Sequence, residues 1–297
     1  MTETPSVTAA GAVTDASSLQ HRRFGGVRRL FGATAHARIQ AARIAVIGVG
    51  GVGSWAVEAL ARSGVGFLQL IDLDHVAESN LNRQLHALGS TLGAAKTALL
   101  AARIADINPA CRVDTREEFV SAEAPGAHLA PGLDWVIDCT DDYRVKAALV
   151  AWCRRERQRL VTVGAAGGML DPTRIRVCDL ARAEQDSLLA RVRKKLRQDY
   201  GFSRNLGRRM EVPCVFSMEA VAYAVGDGEQ PGRVGGGLAC SGALGSLVAV
   251  TGAMGFAAAA HVLREVAAGR GHRARETSAD EAPARDPLRA DGGEPPP

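Results

Sequence analysis

Four short apolar runs recur along the chain, and helical spacing follows most of them. "RIAVIG" (43–48) leads into "SWAVEALARSG", whose Gly64 is a suitable helix stop. "FLQLID" (67–72) is followed by a polar connection and then "LGAAKTALLAARIADIN", a helix ended by Pro109. "DWVIDCT" (134–140) precedes a helix from about Tyr143 to Arg157, and "RLVTVG" (159–164) is a further buried strand. Near-continuous apolar strands alternating with helices predict an α/β, Rossmann-like domain with a mainly parallel sheet covered on both faces. Beyond Gly168 the rhythm breaks. "RIRVCDL" reads as a strand, a basic helical segment follows, and residues 201–240 are rich in glycine and weakly periodic. The pattern divides the chain into a flexible tail (1–20), one domain (21–268) and a disordered tail (269–297). Within the domain we distinguish a first half (about 40–165), a basic segment and crossover region (about 181–240) and a C-terminal helix (about 243–264), and we expect the C-terminal extension to complete the sheet.

Composition changes this picture little. With 297 residues, 46% of them hydrophobic, a large packed core is available. The net charge of +4 excludes a strongly basic nucleic-acid binder, so any basic surface must be local. Cysteines at 111, 139, 153, 178, 214 and 240 include no C-x-x-C pair, which argues against a zinc site and leaves reduced thiols in a cytoplasmic protein. No apolar run behind basic residues marks a secretory signal. "ALGSLVAVTGAMGFAAAAHVL" (243–263) is uncharged and long enough to test as a membrane span. Its Ala and Gly content fits a buried core or dimer-interface helix better.

The turn after the first strand, Gly48-Val-Gly50-Gly51-Val-Gly53, allows close backbone approach to phosphate at a helix N-terminus. Asp72 ends the second strand where an acid accepts hydrogen bonds from ribose, or merely serves a turn. Asp74 is either a second polar neighbour of the nucleotide or simply solvated. NAD and ATP share that ribose. The choice falls to "SNLNRQLH" (79–86) and Lys96: Asn80, Arg83, Gln84 and Lys96 are donors suited to phosphates rather than to an apolar nicotinamide site. "DCTDD" (138–142) adds carboxylates at the end of the next strand, a setting for magnesium beside phosphates. We therefore expect ATP and Mg²⁺, with no NAD and no zinc.

The series GxGGVGS, DLD, SNLNRQ, GxxK and DCTD resembles the ubiquitin-activating, ThiF-like superfamily of adenylating enzymes over about residues 20–265. The resemblance implies that Asp72 binds ribose, that Asn80, Arg83 and Lys96 handle phosphates, and that Asp141 holds magnesium. Arg83, Lys96 and Asp141 would be the catalytic set, acting while a carboxylate attacks the α-phosphate of ATP. Two departures stand out. The paired C-x-x-C motifs of sulfur-carrier-activating members are missing, and Gly26 occupies the place of an N-terminal arginine that reaches the partner subunit's site, with Arg28 and Arg29 nearby. "RFGG", "NLNRQLHAL", "INPACRV", "AALVAWCRR", "VTVGAAGGMLDPTRI" and "CVFSMEA" resemble the branch of tRNA threonylcarbamoyladenosine dehydratases. That branch implies activation of a threonylcarbamoyl carboxylate on tRNA adenosine and ring closure with loss of AMP. The alternative within the superfamily is activation of the C-terminal glycine of a ubiquitin-like sulfur carrier. Relatives imply a homodimer and a cysteine-desulfurase or sulfur-acceptor system as partner.

An RNA substrate needs cationic contact. From Arg182 to Arg209 nine Arg or Lys face three Asp or Glu. Arg191, Arg193, Lys194, Lys195, Arg197, Arg208 and Arg209 are the expected phosphate-tracking residues, with Tyr200 or Phe202 as stacking partners. The competing reading is a solvated amphipathic helix burying Leu188, Val192 and Leu196. Cys240, before the Ala/Gly helix, is either a nucleophile that captures an acyl group or an inert buried thiol.

Overall fold

The computed structural model describes residues 20, 22–221 and 244–271. Among the described residues seven strands form one sheet: β1 (Arg43–Ile47), β2 (Phe67–Ile71), β3 (Arg112–Arg116), β4 (Trp135–Asp138), β5 (Leu160–Val163), β6 (Ile175–Asp179) and β7 (Pro213–Ser217). Their order is β3-β2-β1-β4-β5-β7-β6, and every pairing is parallel except β6 with β7. The helices are α1 (Ala33–Ala41), α2 (Gly53–Arg62), α3 (Lys96–Ile107), α4 (Tyr143–Arg155), α5 (Ser187–Asp199) and α6 (Val248–Ala267), and residues 22–31 are also helical. Gly64 ends the α2 turn with φ 83°, a value that an L side chain resists.

The sheet is covered on both faces, as the unbroken apolar strands require. One face packs Val46, Leu68 and Leu70 against Leu60, Leu100, Ile104, Met254 and Val262 from α2, α3 and α6. The other packs Ala45, Ile47 and Phe216 against Leu149, Val150, Leu189, Val192 and Leu196 from α4 and α5. Leu189, rather than the expected Leu188, takes the buried position, because Asp186 caps α5 by accepting from the Leu189 N–H at 2.8 Å. β3 and β7 were not legible as strands. β3 is a polar edge strand, and β7 lies inside the segment that lacked periodicity.

The Ala/Gly helix is resolved as a core element. α6 lies so close to α2 that a Cβ on Gly255 would meet the Val52 carbonyl, with Ala56 N and Trp55 Cβ each 2.9 Å away. Small residues are therefore the condition for that contact. The apolar face expected to cover a second subunit is largely used inside the chain, with Val250, Met254, Ala258, Ala259 and Val262 buried. Among the described residues no helix is long and apolar enough to cross a membrane.

The strand order reverses direction between β1 and β4, since β2 lies on one side of β1 and β4 on the other. Such a switch point opens a crevice beyond the carboxyl ends of the two strands. Both the glycine bend and the "DCTDD" loop emerge there.

Candidate active site

At the exit of β1, Gly48 has φ 78°, and a Cβ there would sit 2.9 Å from the Cys139 carbonyl oxygen. A Cβ on Gly53 would meet the Gly48 carbonyl itself. These two glycines let the bend turn back on itself against the β4 exit. Gly50 and Gly51 do something different: they leave room for the connection after β2. An added Cβ would lie 3.6 Å from Gln84 Nε2 at Gly50, and 3.3 Å from Arg83 Cγ and Cδ at Gly51. α2 begins at Gly53 with no side-chain cap, so its first-turn N–H groups are suited to an anion.

Asp72 stands at the end of β2. Its Oδ2 accepts from Val49 N at 2.7 Å and its Oδ1 from Asp74 N at 2.9 Å. The turn reading is thus correct in part, yet each carboxylate oxygen keeps a second lone pair for a ribose hydroxyl. Burial raises its pKa, while the two N–H donors and the nearby Lys96 charge oppose the rise. Asp74 is not simply solvated. It pairs with Lys96 Nζ at 2.7 Å, and the Lys96 side chain, opening α3, is only 4% exposed.

The connection between β2 and α3 is held by its own polar groups. Asn80 is buried, and its Oδ1 accepts from Ala77 N at 3.1 Å, closing the turn before Arg83. Trp55 of α2 donates its indole N–H to the Arg83 carbonyl at 3.0 Å, tying this connection to the helix behind the bend. The Arg83 guanidinium donates to Ser79 O at 2.6 Å and to Asn82 Oδ1 at 3.0 Å while its stem lies over Gly51. Gln84 is buried, with its Oε1 unpartnered among the described residues.

Sequence reasoning missed His86. It is 5% exposed, neither ring nitrogen has a hydrogen-bond partner among the described residues, and burial aided by Lys96 lowers its pKa to about 4. It is therefore a neutral imidazole near the Lys96 ammonium. Its place two residues after Gln84, in the quoted octapeptide, was the available signal.

The carboxylates of "DCTDD" separate into three roles. Asp138 is wholly buried and takes Lys146 Nζ at 2.9 Å, Thr162 Oγ1 at 2.7 Å and Thr140 Oγ1 at 2.7 Å, so it supports the β4 exit from within. Lys146, another residue the sequence reading passed over, is its buried counter-ion. Asp142 caps α4 by accepting from Arg144 N at 2.6 Å. Asp141 alone of the three is exposed without a hydrogen bond or ion pair among the described residues. No group of three His, Cys, Asp or Glu side chains is clustered to hold a metal there or elsewhere in the described residues. A metal at Asp141 would have to take its other ligands from phosphate and water.

The description of the ThiF family matches residues 26–280, most of the chain. This protein belongs to the ThiF family. The tRNA threonylcarbamoyladenosine dehydratase of Escherichia coli (strain K12) is 44% identical over 261 residues, which are 85% of this chain and 96% of that protein. The enzyme of the same name from Haemophilus influenzae is 42% identical over 243 residues, 82% of this chain and 92% of its own. Crystal structures of the E. coli dehydratase in complex with ATP and with AMP match with TM-scores of 0.76 and 0.75 at 43% identity, covering 84% of this chain and 95% and 96% of theirs. By comparison, the molybdopterin-synthase adenylyltransferase of H. influenzae matches 129 residues at 33% identity, only 43% of this chain.

The remaining expected residues of this ThiF-family chain are spread over its surface. Along α5, Arg191 stacks 4.1 Å over the Tyr143 ring, Arg193 reaches Leu180 O at 3.4 Å, Lys195 pairs with Asp199 at 2.6 Å and Arg197 reaches Ser203 O at 3.3 Å. Lys194 and Arg208 are exposed, and Arg209 lies 3.7 Å from Asp179. Most of the helix cations are thus already engaged within the fold. Phe202 is buried beneath Arg154, 4.8 Å from its ring, so of the two aromatic candidates only Tyr200 is open to stacking. Gly26, Arg28 and Arg29 are exposed on the N-terminal helical segment. Cys240 lies outside the described residues. The five described cysteines are free thiols, and burial pushes Cys139 up to about 12.

Proposed function

We propose that this protein uses ATP to dehydrate N6-threonylcarbamoyladenosine in tRNA, closing the threonylcarbamoyl group into a ring. The observation that carries the reading is the seating of Arg83 on Gly51 beside the uncapped start of α2, with the buried Lys96 opening α3 close enough to Asp72 to act on its charge. Near-full-length similarity to enzymes of that name supports the choice of substrate. It also disfavours the sulfur-carrier alternative, whose named representatives match less than half of the chain.

The chemistry follows from what each residue can offer. Asp72 anchors the ribose, and the N–H groups of the α2 terminus with the glycine bend bind the phosphates. Arg83 and Lys96 neutralise charge as pyrophosphate departs. To do so Lys96 need only turn its remaining N–H donors from Asp74 toward the triphosphate. Asp141 would hold Mg²⁺, which supplies charge neutralisation across the phosphates. A carboxylate oxygen of the substrate attacks the α-phosphorus and pyrophosphate leaves. A nitrogen of the same threonylcarbamoyl group then attacks the acyl carbon, and AMP departs with that oxygen. Because the nucleophile is tethered, ring closure needs orientation more than further activation. No cysteine is required for it. A cytoplasmic homodimer is the assembly this reading favours.

The test uses purified protein, ATP and tRNA with or without the threonylcarbamoyl group. Pyrophosphate release is expected only with the modified tRNA. Release that instead requires a small carrier protein with a C-terminal glycine refutes the assignment in favour of the alternative.

A further inference from the structure

Among the described residues β6 is an edge strand, and beside it lies a groove of about 460 Å³ whose lining shares no residue with the glycine bend or the connection after β2. Arg174, Arg176 and Arg182 line it against a single acid, Glu184. The side chains of Arg174 and Arg182 are exposed and make no hydrogen bond or ion pair among the described residues, although Arg174 lies near enough to Asp171 to favour its charged form. Arg176 folds along its own strand, donating to Thr173 O at 3.2 Å and Ile175 O at 3.0 Å. The floor is apolar: Phe216 is buried, Met218 is half-buried and Val177 is 36% exposed. A cationic rim around an apolar floor suits an unstacked nucleotide, with its base on the floor and its phosphates on the guanidinium groups.

Position adds to chemistry. Because β6 runs antiparallel to β7, with Ile175 opposite Ser217 and Asp179 opposite Pro213, Arg174 lies at the carboxyl end of the parallel strands, the end that holds the glycine bend, and Arg182 lies toward their amino end, so the two arginines mark the two ends of the groove. Four strand spacings separate β1 from β6, or about 19 Å, the length of roughly five or six stacked nucleotides. Most cations of the helix that sequence reading favoured as the RNA surface are engaged with neighbouring groups of the fold. Arg174 and Arg182, by contrast, are open.

We infer that the β6 groove seats the single-stranded RNA that flanks the reacting nucleotide, through Arg174 and Arg182. This rests on the tRNA reading above, and the experiment separates the two. Binding of threonylcarbamoylated tRNA is measured against salt for the full chain, for the double variant Arg174→Ala/Arg182→Ala and for Arg191→Ala/Lys194→Ala on α5. ATP affinity without tRNA serves as the folding control. The groove variant is expected to bind tRNA about tenfold or more weakly at about 0.15 M salt, with a salt slope smaller by about 1.4 for two lost phosphate contacts, and with ATP affinity unchanged. The α5 variant is expected to lose less. If the unaltered chain does not bind the tRNA, the functional reading fails. If it binds and the groove variant matches it in affinity and slope, the groove assignment alone fails. A variant that instead changes oligomeric state while keeping RNA affinity marks the edge as a contact between copies, and overturns the inference too.

Discussion

Lys146→Met removes one charge from the centre of the fold and leaves almost everything else in place. Lys146 and Asp138 are both 0% exposed and lie 2.9 Å apart. Methionine has similar length and keeps the unbranched stem, so the loss is the ammonium group. Asp138 then keeps the hydroxyls of Thr162 and Thr140 and the Thr140 N–H at 3.1 Å, but has no counter-ion. Leaving one member of a buried pair uncompensated costs about 3–5 kcal/mol. The three surviving donors argue for the lower end, about 3 kcal/mol. For a domain of this size that corresponds to a melting temperature lower by roughly 6–12 °C. Adding Asp138→Asn removes the stranded charge while keeping an acceptor for one of the two threonine hydroxyls, the other being able to accept from the amide NH2. The double variant is therefore expected to recover at least half of the loss. Chemical denaturation of the three proteins checks this. A single variant within about 1 kcal/mol of the parent, or a double variant no better than the single, refutes the description of this pair as a mutually dependent buried support.

Other predictions rest on different parts of the structure. Gly255→Ala drives a Cβ into the α2 backbone and is expected to cost about 1–3 kcal/mol, whereas Gly252→Ala, whose added Cβ is 3.7 Å from Trp55 carbons, gains up to about 1 kcal/mol from helix propensity. Equal effects in a thermal melt contradict the close α2–α6 packing. His86, lowered to about 4 from an ordinary 6.5, binds fewer protons folded than unfolded between those values, so stability falls as pH drops through that window, by about 2 kcal/mol at pH 5. His86→Leu should flatten that dependence, and an unchanged slope in denaturation at pH 7.5 and pH 5 removes the buried neutral imidazole from the account. Asp72→Ala should weaken ATP binding by about 2 kcal/mol, roughly thirtyfold, measured by calorimetry without tRNA. Unaltered affinity excludes the ribose contact.

How much was visible beforehand depended on whether a residue's role is local. The strands β1, β2, β4 and β5 were legible because burial on both faces demands unbroken apolar runs, and the glycine turn because its conformation demands glycine. β3 and β7 were not, since their strand character comes from the neighbours they pair with: Arg112–Arg116 is polar, and Pro213–Ser217 sits in an aperiodic segment. The same distinction runs through the site. Arg83 and Gln84 stand over the bend as their position after β2 suggested, but the adjacent carboxylates of "DCTDD" could not be told apart. Asp138 is a buried ion-pair partner because Lys146, at the start of α4, reaches back to the end of β4, and Asp142 is a cap because α4 begins at the next residue. Asp74 looked solvated until α3 brought Lys96 back to it. The basic stretch 182–209 showed its charge surplus in the sequence, yet local pairing engages most of the helix cations, while Arg174 and Arg182, flanking a strand, drew no attention as single residues.

The proposed activity depends on one step, in which a carboxylate attacks the α-phosphorus of ATP and takes up the adenylyl group as pyrophosphate leaves. Carrying heavy oxygen in the carboxylate of the threonylcarbamoyl group and locating it after one turnover by mass spectrometry tests that step directly. One labelled oxygen is expected in AMP and none in pyrophosphate, and Lys96→Ala is expected to form no labelled AMP. Label recovered in inorganic phosphate, or only in water, contradicts it.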